Sequence, residues 1–403
     1  MIQIEPVWLS ALPAVFGFGW LAARWERRLE VAEDEAEQSK KQKKTFKGLN
    51  LLLNEQPDKA IDALVEVAQL DPETTELHFA LGSLFRRRGE TERAIRVHQH
   101  LANRQDIPKK DRDHAAYELG RDFLRAGMLD RAESTLNRVG DSQYSTPAKV
   151  ALFEMYQIEK DWRKAIVAAT ELQSLGSQDF HREIAHFHCE LAQEAIRRKD
   201  LSAAQMAVEQ ALQVVPFHAR ATIIQGELAA LNQRPKEALE IWSRLEAKHP
   251  MYLLLVADRW MAAHAELGLE VEGLERLKQH LKQQASGELL DIVFKHVLRI
   301  EGPQAAEALM AEVMHHTPSL TAMTKRLEAQ LKMALLQEDQ KLEIDINASL
   351  NLLKQKTGTL ARYTCGSCGF RARRFYWQCP GCNHWDAYSP KRSEGSAPSS
   401  PSM

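Results

Sequence analysis

The sequence predicts an all-α protein in three parts: an N-terminal transmembrane helix, a long solenoid of paired helices, and a small C-terminal module built around a metal ion. Three observations predict these parts. The chain begins with a long uncharged apolar stretch, and its middle repeats small residues and prolines at a spacing near 34 residues. Its end holds four of its five cysteines.

Length, hydrophobic content, net charge and cysteine count limit the classes of protein to which this chain can belong. With 403 residues, 44% of them hydrophobic, the chain is long enough for two or three domains and apolar enough to bury sizeable cores. A formal net charge of -2 gives no whole-chain argument for binding nucleic acid or a membrane surface. Five cysteines are too few for a secreted disulfide scaffold, so closely spaced pairs indicate metal ligands in a reducing compartment.

Residues 1–23 are predicted to form a single transmembrane anchor. Pro6 to Ala23 carry no charge, and a helix over that stretch would span about 27 Å, just enough to cross a bilayer. Arg24, Arg27 and Arg28 follow directly, so the positive-inside rule places the bulk of the chain in the cytoplasm. An apolar cap buried by the neighbouring domain is the alternative. Residues 24–45 mix both charge signs over good helix formers and are predicted to be a charged helical neck.

Residues 46–356 are predicted to form a tetratricopeptide-repeat solenoid that ends in a helical cap. Gly48 and Ala60 recur 34 residues later as Gly82 and Ala94, and other pairs repeat the pattern. The spacing is typical of a helix, a turn, a second helix and a stop, with small residues where two helices cross. About eight units are expected up to residue 320.

A solenoid of this kind presents a concave surface to protein partners. We predict a groove for an acidic or carboxylate-bearing segment on the inner helices of the second and third units. Ordinary solvent-exposed charge is the alternative, and a homo-oligomer is also compatible with the pattern. The predicted partner-binding residues are Phe79, Arg86, Arg87, Tyr117, Arg121 and Arg125.

No enzyme signature is found in the chain. The phosphate-binding, acyl-transfer and zinc-protease motifs are absent from the sequence, so we expect no catalytic residues. The stretch HREIAHFHCE is the one candidate for a mixed metal site in the repeats, because His186 could share a helical face with Cys189 and with Glu183 or Glu190. That ligand set fits no common metal site, and we expect these residues to pack.

The strongest motif lies in the module predicted over residues 361–389. Cys365, Cys368, Cys379 and Cys382 are spaced C-x2-C-x10-C-x2-C, which allows two tight turns to face one ion through four thiolates. Such a closed site is structural or, with iron, suited to electron transfer. Gly369 follows the first pair, and Asn383, which follows the second, can adopt the same left-handed conformation.

Two further expectations concern the end of the chain. Arginines interleave with aromatic residues between the cysteine pairs, but we expect them to cover the edge of a small domain and we predict no nucleic-acid partner. Residues 390–403 are rich in Ser and Pro and are predicted to be a disordered tail.

The combination resembles the lipopolysaccharide assembly protein B family of Gram-negative bacteria. The stretches that carry the likeness are LGSLFRRRGETERAIRVHQ (81–99), LGRDFLRAGMLDRAE (119–133), EIAHFHCELA (183–192) and YTCGSCGFRARRFYWQCPGCNHW (363–385). The resemblance implies a single-pass protein of the bacterial inner membrane with its C-terminal bulk on the cytoplasmic side. It also implies a rubredoxin-like module that binds iron through the four cysteines.

The resemblance further implies a regulatory role. Members of the family help the membrane AAA+ metalloprotease FtsH to degrade the LpxC deacetylase, which commits its substrate to lipid A synthesis. A scaffold for lipopolysaccharide assembly or export, in contact with other assembly proteins, is one alternative, and an electron-transfer protein is another. A true rubredoxin has a longer gap between its cysteine pairs and usually Gly where this chain has Asn383. Zinc therefore stays open as an alternative to iron.

Overall fold

The computed structural model describes residues 75–176, 179–283, 286–358 and 363–390. The predicted anchor, neck, first repeat and, beyond Pro390, the predicted disordered tail lie outside these residues. Among the residues described, no helix is both long enough and apolar enough to cross a membrane. The chain divides into two compact units, Met1–Ser177 and Gln178–Met403.

The described part of the first unit consists of helices that pack in consecutive pairs. These helices are α1 (Thr75–Arg87), α2 (Thr91–Asn103), α3 (Lys109–Arg125), α4 (Leu129–Leu136), α5 (Ser145–Glu159) and α6 (Trp162–Ser174). Short turns join the two helices of a pair, as at Gly89, where a positive φ of 81° suits glycine.

The second unit continues the pattern and adds the metal module. Its helices are α7 (His181–Arg197), α8 (Leu201–Val214), α9 (Ala219–Leu231), α10 (Pro235–Lys248), a 3-10 helix (Pro250–Leu255), α11 (Ala257–Glu266), α12 (Glu270–Gln283), α13 (Gly287–Ile300), α14 (Pro303–His316), α15 (Leu320–Leu336) and α16 (Gln340–Gly358). Two short strands follow, β1 (Tyr363–Thr364) and β2 (Arg371–Ala372). Pro216, Pro250 and Pro318 each lie two residues beyond the last residue of α8, α10 and α14, where proline prevents the helix from continuing.

Small residues allow the two helices of a pair to approach closely. Ala94, Ala132, Ala204 and Ala238 have no exposed surface. Gly226 faces the indole of Trp242, and a methyl group added to Gly226 would lie 2.1 Å from Nε1 of that ring. The prediction of a tetratricopeptide-repeat solenoid followed by a four-cysteine module is therefore confirmed.

The largest core of the second unit runs through α9 to α15. Trp242 and Trp260 are fully buried in it, among leucines and valines from successive pairs. Polar side chains close the starts of several helices, because the first backbone N–H groups of a helix have no partner within it. Asp200 accepts from N of Ala203 at 2.9 Å, and His218 accepts through Nδ1 from N of Ala221 at 3.3 Å.

Candidate metal centre

The first cysteine turn is held by a small antiparallel hairpin. Strands β1 and β2 pair with Tyr363 opposite Ala372. The N–H of Cys365 donates to the carbonyl of Phe370 at 2.9 Å, and the N–H of Gly369 donates to the carbonyl of Cys365 at 2.9 Å. Gly369 has a φ of 73°, so the backbone closes the turn in the left-handed region.

The second turn repeats this geometry. The N–H of Cys379 donates to the carbonyl of His384 at 2.9 Å, and the N–H of Asn383 donates to the carbonyl of Cys379 at 2.8 Å. Asn383 has a φ of 58°. The prediction that Asn383 takes the conformation of the corresponding glycine is confirmed, and asparagine tolerates it at small cost.

The four sulfur atoms converge on one point. Sγ of Cys365 lies 3.7 Å from Sγ of Cys382, and Sγ of Cys368 lies 3.7 Å from Sγ of Cys379. All four lie within 4.8 Å of one another, and none is in a disulfide. A tetrahedral ion with metal–sulfur bonds of about 2.3 Å separates its ligands by about 3.8 Å, so the arrangement fits one four-coordinate metal ion.

Nearby donors favour the thiolate form at Cys379. Burial opposes ionisation of this thiol, but the Tyr388 hydroxyl, 3.6 Å from Sγ, and the N–H of Gly381, 3.4 Å from Sγ, favour it. The net effect lowers the pKa of Cys379 to about 6. Although a hydrogen bond to the backbone of His384 opposes the change, desolvation and the neighbouring thiols raise the pKa of Cys382 to about 12. Cys379 therefore ionises before Cys382, and binding of an ion would release the protons that remain on the other thiols.

Four thiolates leave no position open for a substrate, so the ion's role within the module is structural or redox. The module's own core is small and includes Cys365 and Cys379 with Tyr363, Ala372 and Tyr388. A core of this size would depend on a bound metal ion for folding.

The module is docked on the repeat helices of the same unit. Trp385 is only 9% exposed and stacks on His186 of α7, with ring centroids 4.6 Å apart and planes 18° apart. Its ring edge meets Phe187 at 5.9 Å. The guanidinium carbon of Arg220, in α9, lies 5.9 Å from the Trp385 ring and 5.8 Å from the Trp377 ring.

Contacts further along the repeats extend this docking surface. Trp377 stacks on Tyr252 with centroids 5.2 Å apart and packs against the large core of the unit. The Tyr363 hydroxyl donates to the carboxylate of Glu288 in α13 at 2.8 Å. The module therefore contacts α7, α9, the 3-10 helix and α13.

The predicted partner-binding residues lie in the first unit, and most are accessible. Arg87, Arg121 and Arg125 are exposed, whereas Phe79 and Tyr117 are half-buried. Phe79 and Tyr117 belong to a row of stacked rings in which His114 lies 4.0 Å from Phe79 and 4.3 Å from Tyr144, and Tyr144 lies 5.8 Å from Tyr117. No partner is present, so partner binding by these residues stays a prediction.

Arg86 has an internal role. It is buried, and its guanidinium donates to the carboxylate of Asp122 at 2.9 Å and also to the carboxylate of Glu118. Nδ1 of His98 lies 2.5 Å from the other oxygen of Asp122. Arg86 thus links two successive repeats, and its guanidinium is engaged within the protein and not by a binding partner. Arg87 beside it is not part of this network.

Sequence reasoning missed the residues that dock the module. Trp377 lies between the two cysteine pairs, and Trp385 and Asp386 follow the second pair closely. Arg220 and Tyr252 are far away in the sequence. One signal was available, because the module holds more aromatic side chains than so small a core can enclose. Surplus aromatic residues on a small domain indicate a docking face.

The fold and the site together define a class: a tetratricopeptide-repeat protein that carries a rubredoxin-like four-cysteine module. Family models agree, since the model described as "Rubredoxin metal binding domain" matches residues 363–390 and the model described as "Tetratricopeptide repeat" matches residues 47–99 and 189–250. The proteins that this chain is similar to over nearly its whole length are named lipopolysaccharide assembly protein B.

Named relatives cover almost the whole chain. Lipopolysaccharide assembly protein B of Escherichia coli is 29% identical over 382 residues, covering 94% of this chain and 97% of the relative. The protein of the same name from Haemophilus influenzae is 25% identical over 390 residues, covering 94% of this chain and 96% of the relative. Among solved structures, the TPR2AB domain of yeast Sti1 aligns with 68% of this chain and 96% of that chain at 15% identity and a TM-score of 0.31.

Proposed function

We propose that this protein is a non-enzymatic adaptor of the bacterial inner membrane that regulates lipopolysaccharide synthesis. The observation that carries the proposal is the similarity to proteins named lipopolysaccharide assembly protein B, which extends over nearly the full length of both chains. Two features that such an adaptor needs support the proposal: a tetratricopeptide-repeat scaffold, and a four-cysteine module that packs against that scaffold.

The proposed mechanism is recruitment. FtsH carries out the proteolysis and LpxC is the client, while this chain holds both through its repeats and its metal module. A predicted anchor over residues 6–23 would place the repeats beside a membrane protease, with the bulk of the chain in the cytoplasm. Confinement to the same membrane raises the effective concentration of the partners, so each contact can be weak.

Iron is the proposed ion at the four cysteines, with zinc as the alternative. Four sulfur atoms with 3.7 Å separations across the site suit either ion, because thiolates bind both. In the adaptor role the ion's contribution is to fold the module and to present its aromatic docking face to α7 and α9.

The test is the lifetime of the LpxC deacetylase in cells depleted of this protein. The proposal predicts a longer lifetime on depletion, which returns to normal with the wild-type gene and not with Cys382→Ser. A lifetime that does not change on depletion would refute the adaptor role.

A second candidate is a scaffold for lipopolysaccharide assembly or export, which the word "assembly" in the relatives' name favours. Crosslinking in membranes followed by identification of the captured proteins separates the two. Capture of FtsH supports the adaptor, and capture of transport proteins without the protease supports the scaffold. A reversible one-electron potential at the four-cysteine site would instead favour electron transfer.

A further inference from the structure

A second group of metal-binding side chains lies where the module meets the repeats. His186 from α7, His218 from the start of α9 and Asp386 from the module each bring one ligand atom within 4.8 Å of the others. The three residues come from distant parts of the sequence. They are separate from the four cysteines, which lie entirely within the module.

Both ring nitrogens of His186 are buried without a hydrogen-bond partner among the described residues. Its side chain has no exposed surface. Nε2 lies 3.0 Å from Oδ2 of Asp386, but the oxygen is off the direction in which a hydrogen bond to this ring would form. Buried polar atoms without a partner are rare in native proteins and require an explanation.

A shared ion explains this geometry better than a direct bond. When a histidine nitrogen and a carboxylate oxygen bind one tetrahedral ion at about 2.0–2.2 Å, the two ligand atoms lie roughly 3.3 Å apart. The ion then occupies the direction of the nitrogen lone pair and the oxygen lies to one side. The 3.0 Å separation between His186 and Asp386 needs only a small adjustment to meet this arrangement.

His218 completes the group from a T-shaped position, its ring centroid 4.4 Å from that of His186. Nδ1 of His218 faces the start of its own helix, 3.3 Å from N of Ala221, so Nε2 is the nitrogen left for an ion. Binding at Nε2 places the ring proton on Nδ1 and gives up the long hydrogen bond from Ala221. Sγ of Cys189, 3.8 Å away, is then the acceptor within reach.

Protonation states in the cluster match a cation site. Burial lowers the pKa of His186, and burial together with the neighbouring His186 lowers the pKa of His218 to about 3, so both rings are neutral at pH 7. Although burial opposes it, the contact with His186 keeps the pKa of Asp386 below its usual value. Burial raises the pKa of Cys189 to about 12, and its sulfur is not among the three ligand atoms that converge.

Two positively charged side chains face the cluster, and their charge would repel a metal ion. Arg220 is paired with Glu190 at 2.8 Å and also contacts Gln193, which balances part of its charge, and the remaining charge helps to lower the pKa of His186 and of His218. Arg182 lies 4.0 Å from Asp386, but its side chain is largely in solvent, where water screens it. Asp386 is held in place from the other side, since its N–H donates to the carbonyl of Trp377 at 2.9 Å.

We propose that His186, His218 and Asp386 form a second metal site, for a divalent transition-metal ion of the zinc type, and that this ion clasps the four-cysteine module to the repeat helices. Two neutral imidazoles and one carboxylate are ligands that such ions prefer, whereas magnesium and calcium prefer oxygen alone. Sequence analysis expected His186 to pack, and it does so against Trp385. Its nitrogens have the further role proposed here. The inference is independent of any protease or client.

The test is a cobalt(II) titration of the full-length purified protein after metal removal, with bound metal counted per chain. The wild-type protein is expected to bind two ions. One gives the intense thiolate charge-transfer absorption of the four-cysteine site, and the other adds only weak visible bands. Asp386→Asn, which keeps the size of the side chain, and His218→Gln are each expected to lose the second ion and keep the thiolate spectrum.

His188→Gln is the matched control, because His188 lies on the same helix but not in the cluster. It is expected to bind two ions, like the wild-type protein. Saturation of the wild-type protein at one ion would overturn the proposal, and so would two ions in both Asp386→Asn and His218→Gln. Circular dichroism on each variant shows whether it is folded, and a folded Asp386→Asn decides the matter even if His218→Gln unfolds.

Discussion

Replacing Trp385 by alanine should undock the metal module and leave its thiolate-bound ion in place. Trp385 is not part of the module's own core, and its 9% exposure reflects burial against His186, Phe187 and Arg220. Most of the energy lost on truncation is therefore docking energy.

The size of the effect follows from these contacts. Truncation of a buried Trp or Phe to alanine costs about 3–5 kcal/mol, and an aromatic pair contributes about 0.5–1.5 kcal/mol beyond its buried area. Taking the low end, because Trp377 and Tyr363 keep their own contacts with the repeats, we expect docking to weaken by about 3 kcal/mol. The ratio of undocked to docked module would then rise by roughly 100-fold.

Hydrogen exchange measured by mass spectrometry on the full chain is the assay. Peptides from α7 and α9 should lose protection in Trp385→Ala, while metal analysis still finds the ion at the four cysteines. Phe370→Ala is the matched control, since Phe370 is an aromatic residue of the same module that is 43% exposed. Unchanged exchange in α7 and α9, or an equal effect of Phe370→Ala, would refute the docking argument.

Three other substitutions test other parts of the fold. Gly226→Ala should destabilise the second unit by about 1–3 kcal/mol, because the new methyl group overlaps Trp242. In a helix without such an overlap, glycine to alanine stabilises by up to about 1 kcal/mol, and a thermal melt that shows this stabilisation would contradict the prediction. Asp122→Ala should lower the free energy of unfolding of the first unit by about 3–5 kcal/mol, because Arg86 and His98 would each lose a buried partner. Unchanged hydrogen exchange in α1 to α4 would contradict this role. Cys382→Ser should abolish metal binding at the four-cysteine site and unfold the module while membrane attachment persists, and metal analysis that finds this ion retained would count against it.

The sequence was sufficient to predict what depends on local spacing. Two C-x-x-C pairs can only be brought together by two tight turns, so the convergence of Cys365 and Cys382 followed from the pattern. The recurrence of glycine and alanine predicted the helix pairs because a close crossing has room for nothing larger, as Gly226 against Trp242 shows.

Contacts between distant segments could not be predicted in this way. Nothing in the helical period of α7 indicates that His186 meets Trp385 and Asp386, about two hundred residues further along the chain. Arg86 reads as a surface residue of an inner helix until Asp122 of the next pair is placed beside it. In both cases the deciding partner is fixed by tertiary packing, which a single sequence does not encode in its spacing.

Reconstituted proteolysis tests the central claim most directly. Purified FtsH and the LpxC deacetylase would be combined in membranes with no added protein, with this protein, or with its Cys382→Ser variant, and the loss of deacetylase followed over time. The adaptor account predicts faster degradation with the wild-type protein and no acceleration with the variant. Equal rates in all three samples would contradict it.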